Sequence, residues 1–326
     1  MRRIARTCLR SVLLFSIIVA ALLGSFGWPP RSLAHDPAST ETRIYLPMLA
    51  TMRSVRFAVI GDYGNGSQGE QAVAALVHSW HPDFIATTGD NNYPSGEVST
   101  IDRNVGAYYH DFIAPYHGKY GTGSDINRFF PTLGNHDWIS GGGPYLDYFT
   151  LPGNERYYDL LWTPVQLFAL DSDPHEPDGV LPTSLQAAWL QQSLAASTAC
   201  WKIVTMHHAP FSSGRHGSTA WMQWPYQAWG ADAVLSGHDH TYERIVLDEF
   251  PYFVNGLGGN IPYEFGTPVP GSVVRYNAEL GAMLIEADQR QITFSFVTHT
   301  GTLIDTYIRR KDCREQQPPV ESFSRF

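Results

Sequence analysis

Residues 83–93 read DFIATTGDNNY. Phe84 to Thr88 form a short apolar and β-branched run, closed by Gly89-Asp90. Such a run, bounded by turn residues, reads as a buried strand. An Asp at a strand end is ordinary, but a tyrosine three residues later is not explained by a turn. The same ending recurs in VRFAVIGD (55–62), RFFPTLGN (128–135), WKIVTMHH (201–208) and DAVLSGH (232–238). Each run is apolar and stops at Asp, Asn or His. Open α/β sheets place their ligand sites at strand C-termini. The repeated ending therefore predicts a fold and a site together.

The segments between these runs fill in the fold. SQGEQAVAALVHSW (67–80) is predicted helical, on the spacing of Ala72, Ala75, Leu76 and Trp80. SLQAAWLQQSLAA (184–196) is predicted helical, with Leu185, Trp189, Leu190 and Leu194 on one face. VQLFALD (165–171) is a further strand. The C-terminal third turns to strand: YERIVLD, YFVNGLGG, AMLIEAD, QITFSFVT and TLIDTYIRR. Strand and helix alternating, then a β-rich tail, predict an α/β chain of two packed sheets with outer helices in one domain. Residues 264–280 read as an exposed loop, and STAWMQWPYQAW (218–229) as a core-facing helix. The catalytic domain is placed at 55–310, after a linker at 35–54 and before a tail at 311–326.

The N-terminus bears on the compartment. A basic MRRIARTCLR precedes the apolar SVLLFSIIVAALLGSFGW, and RSLA offers small residues at Ser32 and Ala34. This is the pattern of a secretory signal peptide, residues 1–34, cleaved after Ala34. The run also approaches the length of an uncleaved anchor. The expected location is extracytoplasmic, secreted or in the cell envelope, with no membrane span after cleavage. The whole chain carries a formal charge of −9. Without residues 1–34 the balance is 17 basic against 31 acidic residues, −14. A chain this acidic repels nucleic acid at long range. An anionic substrate then needs positive charge supplied locally, and a metal is the natural source. Cys8 leaves with the signal peptide. Cys200 and Cys313 remain, an even pair that an oxidising compartment could join or leave free.

The strand-end residues fit one chemistry. Asp62, Asp90, Tyr93, Asn135, His207, His238 and His240 offer oxygen and imidazole nitrogen and no thiolate. That set suits a hard trivalent or borderline divalent ion, not a structural zinc. The donors suffice for two metals sharing a carboxylate, the arrangement used for in-line displacement at phosphorus.

The set GDYG, GDNNY, GNHD, VTMH and GHDH resembles the calcineurin-like metallophosphoesterases, and the tyrosine narrows the resemblance to purple acid phosphatases of the small mammalian, tartrate-resistant type. It covers roughly residues 53–310. The resemblance implies a β-sandwich of two mixed sheets flanked by helices. It implies a ferric site of Asp62, Asp90, Tyr93 and His240, and a divalent site (Fe, Zn or Mn) of Asp90, Asn135, His207 and His238, with Asp90 bridging. It gives His136 a phosphate contact and His216, in GRHG, a place near the leaving group. The implied reaction is hydrolysis of small phosphate monoesters by a metal-bound hydroxide at acidic pH, with Tyr93 making the protein purple. A monomer is expected. His208 beside His207 leaves the register open by one residue, although the spacing from Val204 favours His207. Trp138 is a bulky neighbour of GNHD. His78, His81, His110, His117 and His175 lack ligand spacing, and Glu243 and Arg244 read as structural. Rival readings are a phosphodiesterase or nucleotidase on the same metals, a di-iron redox protein, and a non-catalytic binding module.

Overall fold

In the computed structural model, residues 54–313 are described. The expected signal peptide, the linker up to residue 53 and the expected tail beyond residue 313 lie outside them. Thirteen strands are found among the described residues. They are β1 (Ser54–Ile60), β2 (Phe84–Thr87), β3 (Phe129–Phe130), β4 (Tyr158–Trp162), β5 (Val165–Ala169), β6 (Trp201–Thr205) and β7 (Ala233–Ser236). There follow β8 (Tyr242–Leu247), β9 (Phe250–Asn255), β10 (Ser272–Tyr276), β11 (Gly281–Asp288), β12 (Gln291–Thr298) and β13 (Leu303–Arg310).

They form two mixed sheets. One runs β13-β12-β11-β1-β2-β3 and the other β10-β8-β9-β7-β6-β5-β4. The centre of each is parallel: β1, β2 and β3 in the first, β5, β6, β7 and β9 in the second. The sequence explains why. Parallel strands are covered on both faces and so read as unbroken apolar runs. In β6, Ile203 faces the core between the sheets, and Val204 faces a second core under the outer helix. Between the sheets lie Phe57 and Phe84, stacked at 4.5 Å, with Phe253, Phe294, Ile285 and Leu235.

The first helix, Gln68–Ser79, starts where Ser67 Oγ accepts the Glu70 N–H, and it buries Val73, Ala74 and Val77. Its buried face therefore sits beside the expected one, and Ala75 is exposed. The helix Leu185–Ala196 is capped by Ser184 and buries Ala187, Leu190 and Leu194. Leu185, expected inside, is 69% exposed. Gln186 takes the inner position instead, because its amide bonds both the N–H and the carbonyl of Asp171.

Other expectations are corrected. β3 is only two residues long, since the next inward N–H, that of Thr132, goes to the Thr87 hydroxyl and not to a strand carbonyl. Residues 264–280 are not all loop: β10 pairs antiparallel with β8 as an edge strand. β4, a hairpin partner of β5, carried no signal that was read. Residues 218–229 are a 3-10 turn and a helical turn, broken at Pro225, although Met222, Trp224 and Tyr226 do face the core. The chain after β13 is tied down through Cys313, which is disulfide-bonded to Cys200 with Cα atoms 5.6 Å apart. Arg244 pairs with Asp305 of β13, and Glu243 is buried against Ser213 and Ser272. No helix among the described residues is long and apolar enough to cross a membrane.

Candidate metal centre

The two sheets meet at the C-terminal ends of their parallel strands. Three side-chain bonds lock this edge. Thr205 Oγ1 donates to the Thr87 carbonyl, Thr88 Oγ1 to the Asn255 carbonyl, and the Asn255 amide to the Val59 carbonyl. The residues that follow β1, β2, β6 and β7 thus converge. Asp62, Asp90 and His207 each place a ligand atom within 4.8 Å of the other two, and all three are buried.

The other expected donors gather around them. Tyr93 Oη lies 2.8 Å from Asp90 Oδ2, 3.4 Å from Asp62 Oδ1 and 3.2 Å from His240 Nε2. His207 Nε2 lies 2.9 Å from Asn135 Oδ1, 3.1 Å from His238 Nδ1 and 3.5 Å from Asp90 Oδ1. The structure therefore brings all seven sequence-predicted donors together, in two groups that meet at Asp90. His207 occupies the inner position. His208 turns aside, with Nδ1 3.0 Å from Ser172 Oγ and its ring 4.5 Å from that of His238.

The backbone is bent to achieve this. Asp62, Asp90 and His238 have φ of 54°, 53° and 71°, in the left-handed region that non-glycine residues seldom adopt. Such strain persists where the surroundings over-determine it, and it clusters at functional sites. The glycines of the motifs make room. A Cβ on Gly89 would lie 2.6 Å from the His207 ring, and one on Gly237 would lie 2.5 Å from Asp62 Oδ2.

The donor set itself tests whether a cation fits. His207 Nδ1 faces the Thr88 carbonyl and His240 Nδ1 faces the Ile261 carbonyl, both at 2.8 Å. A carbonyl only accepts, so each ring carries its proton there and points a lone pair from Nε2 into the cluster. Metal-bound histidines are held in this way. The Nε2 of His207 then faces Asn135 Oδ1, another acceptor, with no proton between them. Burial, and then the charge of Asp90, push the Asp62 carboxyl well up; burial also raises Asp90 and Tyr93. Burial holds His207 down at about 3 and His240 at about 4, so both are neutral. The ion-pair partners of Asp62 and Asp90 among the described residues are histidines, never Lys or Arg. A buried set of acidic oxygens and neutral nitrogens without a counter-charge fits a metal.

A prediction follows from these directions. Ligands must be deprotonated to bind. The histidines already are, whereas Asp62, Asp90 and Tyr93 are held towards their protonated forms. Metal uptake should release protons, and affinity should rise with pH. Titration calorimetry in buffers of different ionisation enthalpy reads this directly; heats independent of the buffer would contradict it.

The two expected phosphate-side histidines flank the cluster. His136 donates its backbone N–H to Asp90 Oδ1, and its ring lies 4.3 Å from that of Tyr93. Its Nδ1 faces the Pro94 carbonyl and its Nε2 lies 4.0 Å from Asp90 Oδ2. His216 is exposed, its N–H held by Asp239 Oδ1 and its ring 4.1 Å from that of His238. His78, His81, His110 and His117 are not in the cluster, and His175 stacks on Trp138 at its rim. Sequence reasoning missed Tyr263, whose ring lies face to face on His240 at 3.9 Å and 15°. It follows Asn260-Ile261-Pro262, a loop without any motif to mark it. It also missed Asp137, which holds the Asn91 N–H and amide and the Gly134 N–H, joining the β2 and β3 ends.

Comparison with known proteins agrees with this geometry. Residues 55–242 match the family model of the calcineurin-like phosphoesterases. The chain is 29% identical over 238 residues to purple acid phosphatase 17 of Arabidopsis thaliana, covering 63% of this chain and 68% of the relative. It is 23% identical over 318 residues to tartrate-resistant acid phosphatase type 5 of Mus musculus, covering 82% and 95%. Among solved structures it is similar to the purple acid phosphatase PPD1 from yellow lupin seeds, with TM-score 0.65 and 18% identity, covering 80% of this chain and 55% of that one. It is equally similar to GAP50, the anchor in the inner membrane complex of Plasmodium, with TM-score 0.63 and 18% identity, covering 79% and 90%. At such identities the structural likenesses show the fold alone.

Proposed function

Since this chain belongs to the calcineurin-like phosphoesterase family and is a metal-dependent phosphoester hydrolase, we propose that it is an extracytoplasmic acid phosphatase acting on small phosphate monoesters. The observation that carries this reading is the position of Tyr93. Its hydroxyl sits between Asp62, Asp90 and His240. A phenol loses its proton at low pH only beside a strongly Lewis-acidic ion, because its ordinary pKa is about 10. We therefore assign Fe(III) to Asp62, Asp90, Tyr93 and His240, and a divalent Fe, Zn or Mn to Asp90, Asn135, His207 and His238. When bound, such a pair neutralises charge on the phosphoryl oxygens and activates water for in-line displacement.

The chain's own residues do the rest. Asp90 faces both groups of donors and holds them at one spacing. The Pro94 carbonyl accepts the Nδ1–H of His136 and so fixes the ring beside Tyr93, where a bound phosphate would meet it. His216 stands at the solvent side of His238, placed to protonate the departing oxygen. Residues 1–34 are assigned as a cleaved signal peptide, and 55–310 as the catalytic domain.

The test is the visible spectrum of the iron-loaded mature protein, with metal analysis and turnover of a monoester at acidic pH. The expected result is a broad visible band in the wild type, lost in Tyr93→Phe while iron stays bound. A colourless, active wild type holding only zinc or manganese would overturn the ferric assignment and leave a phosphoesterase. Absence of monoester turnover with both metals bound would overturn the phosphatase reading.

A further inference from the structure

A cavity of about 680 Å³ opens beside the metal centre, between the loop of Gly214 and Arg215 and the loop from Asn260 to Gly266. Its inner wall is Tyr263. One face of that ring covers His240, and Arg215 lies over the ring with its guanidinium carbon 5.3 Å from the centroid. His216 meets the same ring at 5.5 Å. The cavity thus begins beside His216, the residue assigned above to the departing oxygen.

The wall is built before any ligand arrives. The Tyr263 N–H donates to the His240 carbonyl, and the Tyr263 carbonyl accepts from Asn277. The Gly266 N–H donates to the Ser213 carbonyl and the Val269 N–H to Ser213 Oγ. Buried Glu243 in turn holds Ser213 through its N–H and hydroxyl. The two loops are therefore joined to each other and to a donor of the metal cluster. Phe265 supplies a second ring, and Ile261 is 77% exposed at the rim.

The charge of the cavity is specific as well. Arg215 is exposed, and among the described residues no carboxylate pairs with it; Glu264 lines the cavity without reaching it. Arg275 lies over the Phe265 ring, 5.5 Å from its centroid, and adds positive charge at the outer side. Arg215 stands ready for a planar anion, which arginine binds in bidentate fashion. Two further rings near the centre have their N–H groups engaged. Trp138 Nε1 is committed to Asp171 and Trp221 Nε1 to the Ser172 carbonyl.

We propose that this cavity is the leaving-group subsite, and that it selects a planar ring carrying a second negative charge, the ring packing beside Tyr263 and the charge pairing with Arg215. The proposal rests on the phosphatase reading of the adjacent centre and names its substrate class. Arg215 and Tyr263 bind and orient; neither takes part in proton transfer.

Benzyl phosphate, 4-carboxybenzyl phosphate and ethyl phosphate test it, because their leaving alcohols have similar reactivity. The wild-type ratio of kcat/KM for 4-carboxybenzyl over benzyl phosphate should be about tenfold. Arg215→Ala should bring that ratio to about one. Tyr263→Leu should lower the ratio of benzyl over ethyl phosphate about fivefold, the worth of an aromatic contact. Ratios within one enzyme cancel differences in metal loading or folded fraction. A wild-type charge ratio near one, or one that Arg215→Ala does not move, overturns the subsite. The same comparison made as Kd, with benzylphosphonate and 4-carboxybenzylphosphonate on the metal-loaded protein, separates this proposal from the one beneath it. A tenfold Kd preference lost in Arg215→Ala supports the subsite even where no ester turns over, a result that would overturn the phosphatase reading alone. Equal Kd values overturn the subsite whatever the turnover.

Discussion

Asp90→Ala should lower kcat/KM by at least about a thousandfold, or about 4 kcal/mol of transition-state stabilisation. Asp90 is the one donor that faces both halves of the cluster. Its Oδ2 meets the Tyr93 hydroxyl, and its Oδ1 meets the His136 N–H and lies 3.5 Å from His207 Nε2. Removing it unlinks the two groups and frees the loop of His136. The residue also sits at φ 53°, where alanine is strained by about 1 kcal/mol. Asp90→Asn controls for that strain, since asparagine tolerates this region and keeps the shape. Both variants should fold, by circular dichroism, and both should lose metal and activity together. Wild-type turnover in either, with a full complement of metal, would rule out a shared carboxylate.

Cys313→Ser should lower the stability by about 2–5 kcal/mol and the melting temperature by about 5–15 °C. The bond to Cys200 spans 113 residues, a long loop whose closure restricts the unfolded chain strongly. It also staples the sheets together. Cys200 immediately precedes β6 in one sheet, and Cys313 follows β13 at the edge of the other. Lys311 adds an ion pair to Asp232, just before β7. Cys200 and Cys313 lie at the starts of the parallel strands of the second sheet, opposite the metal cluster. Activity at 25 °C should therefore survive the substitution while thermal unfolding moves down. A melting temperature unchanged in Cys313→Ser would show that the inter-sheet core alone holds the two layers.

The strands that carry the site were legible because they are buried on both faces. IVT before Met206-His207 and AVLS before Gly237-His238 hold no charged residue, and the hydroxyls of Thr205 and Ser236 bond backbone carbonyls, so the runs stand out in the sequence. Edge elements were not legible. β10 alternates exposed and half-buried residues, SVVRY, and lies among Pro and Gly, which hides it as a loop. The helix Leu185–Ala196 was found, but its buried face was misjudged, because the Gln186 bonds to Asp171 outweigh the hydrophobicity of Leu185.

What the sequence determined by itself was the set of strand ends at Asp62, Asp90, Asn135, His207 or His208, and His238, since each closes a run whose pattern is local. It also determined the two-sheet α/β architecture, since parallel strands need apolar covering on both sides. Tertiary structure alone decided the rest. It chose His207 over His208, because only His207 can give its Nδ1 proton to the Thr88 carbonyl and aim Nε2 inward. It joined Cys200 to Cys313, because their proximity depends on how two distant sheet ends meet. It laid Tyr263 on His240 and Arg215 on Tyr263, from loops nearly fifty residues apart. Periodicity records which side of a strand faces the core, but contacts between loops follow from the packing of the sheets beneath them and leave no local pattern to read.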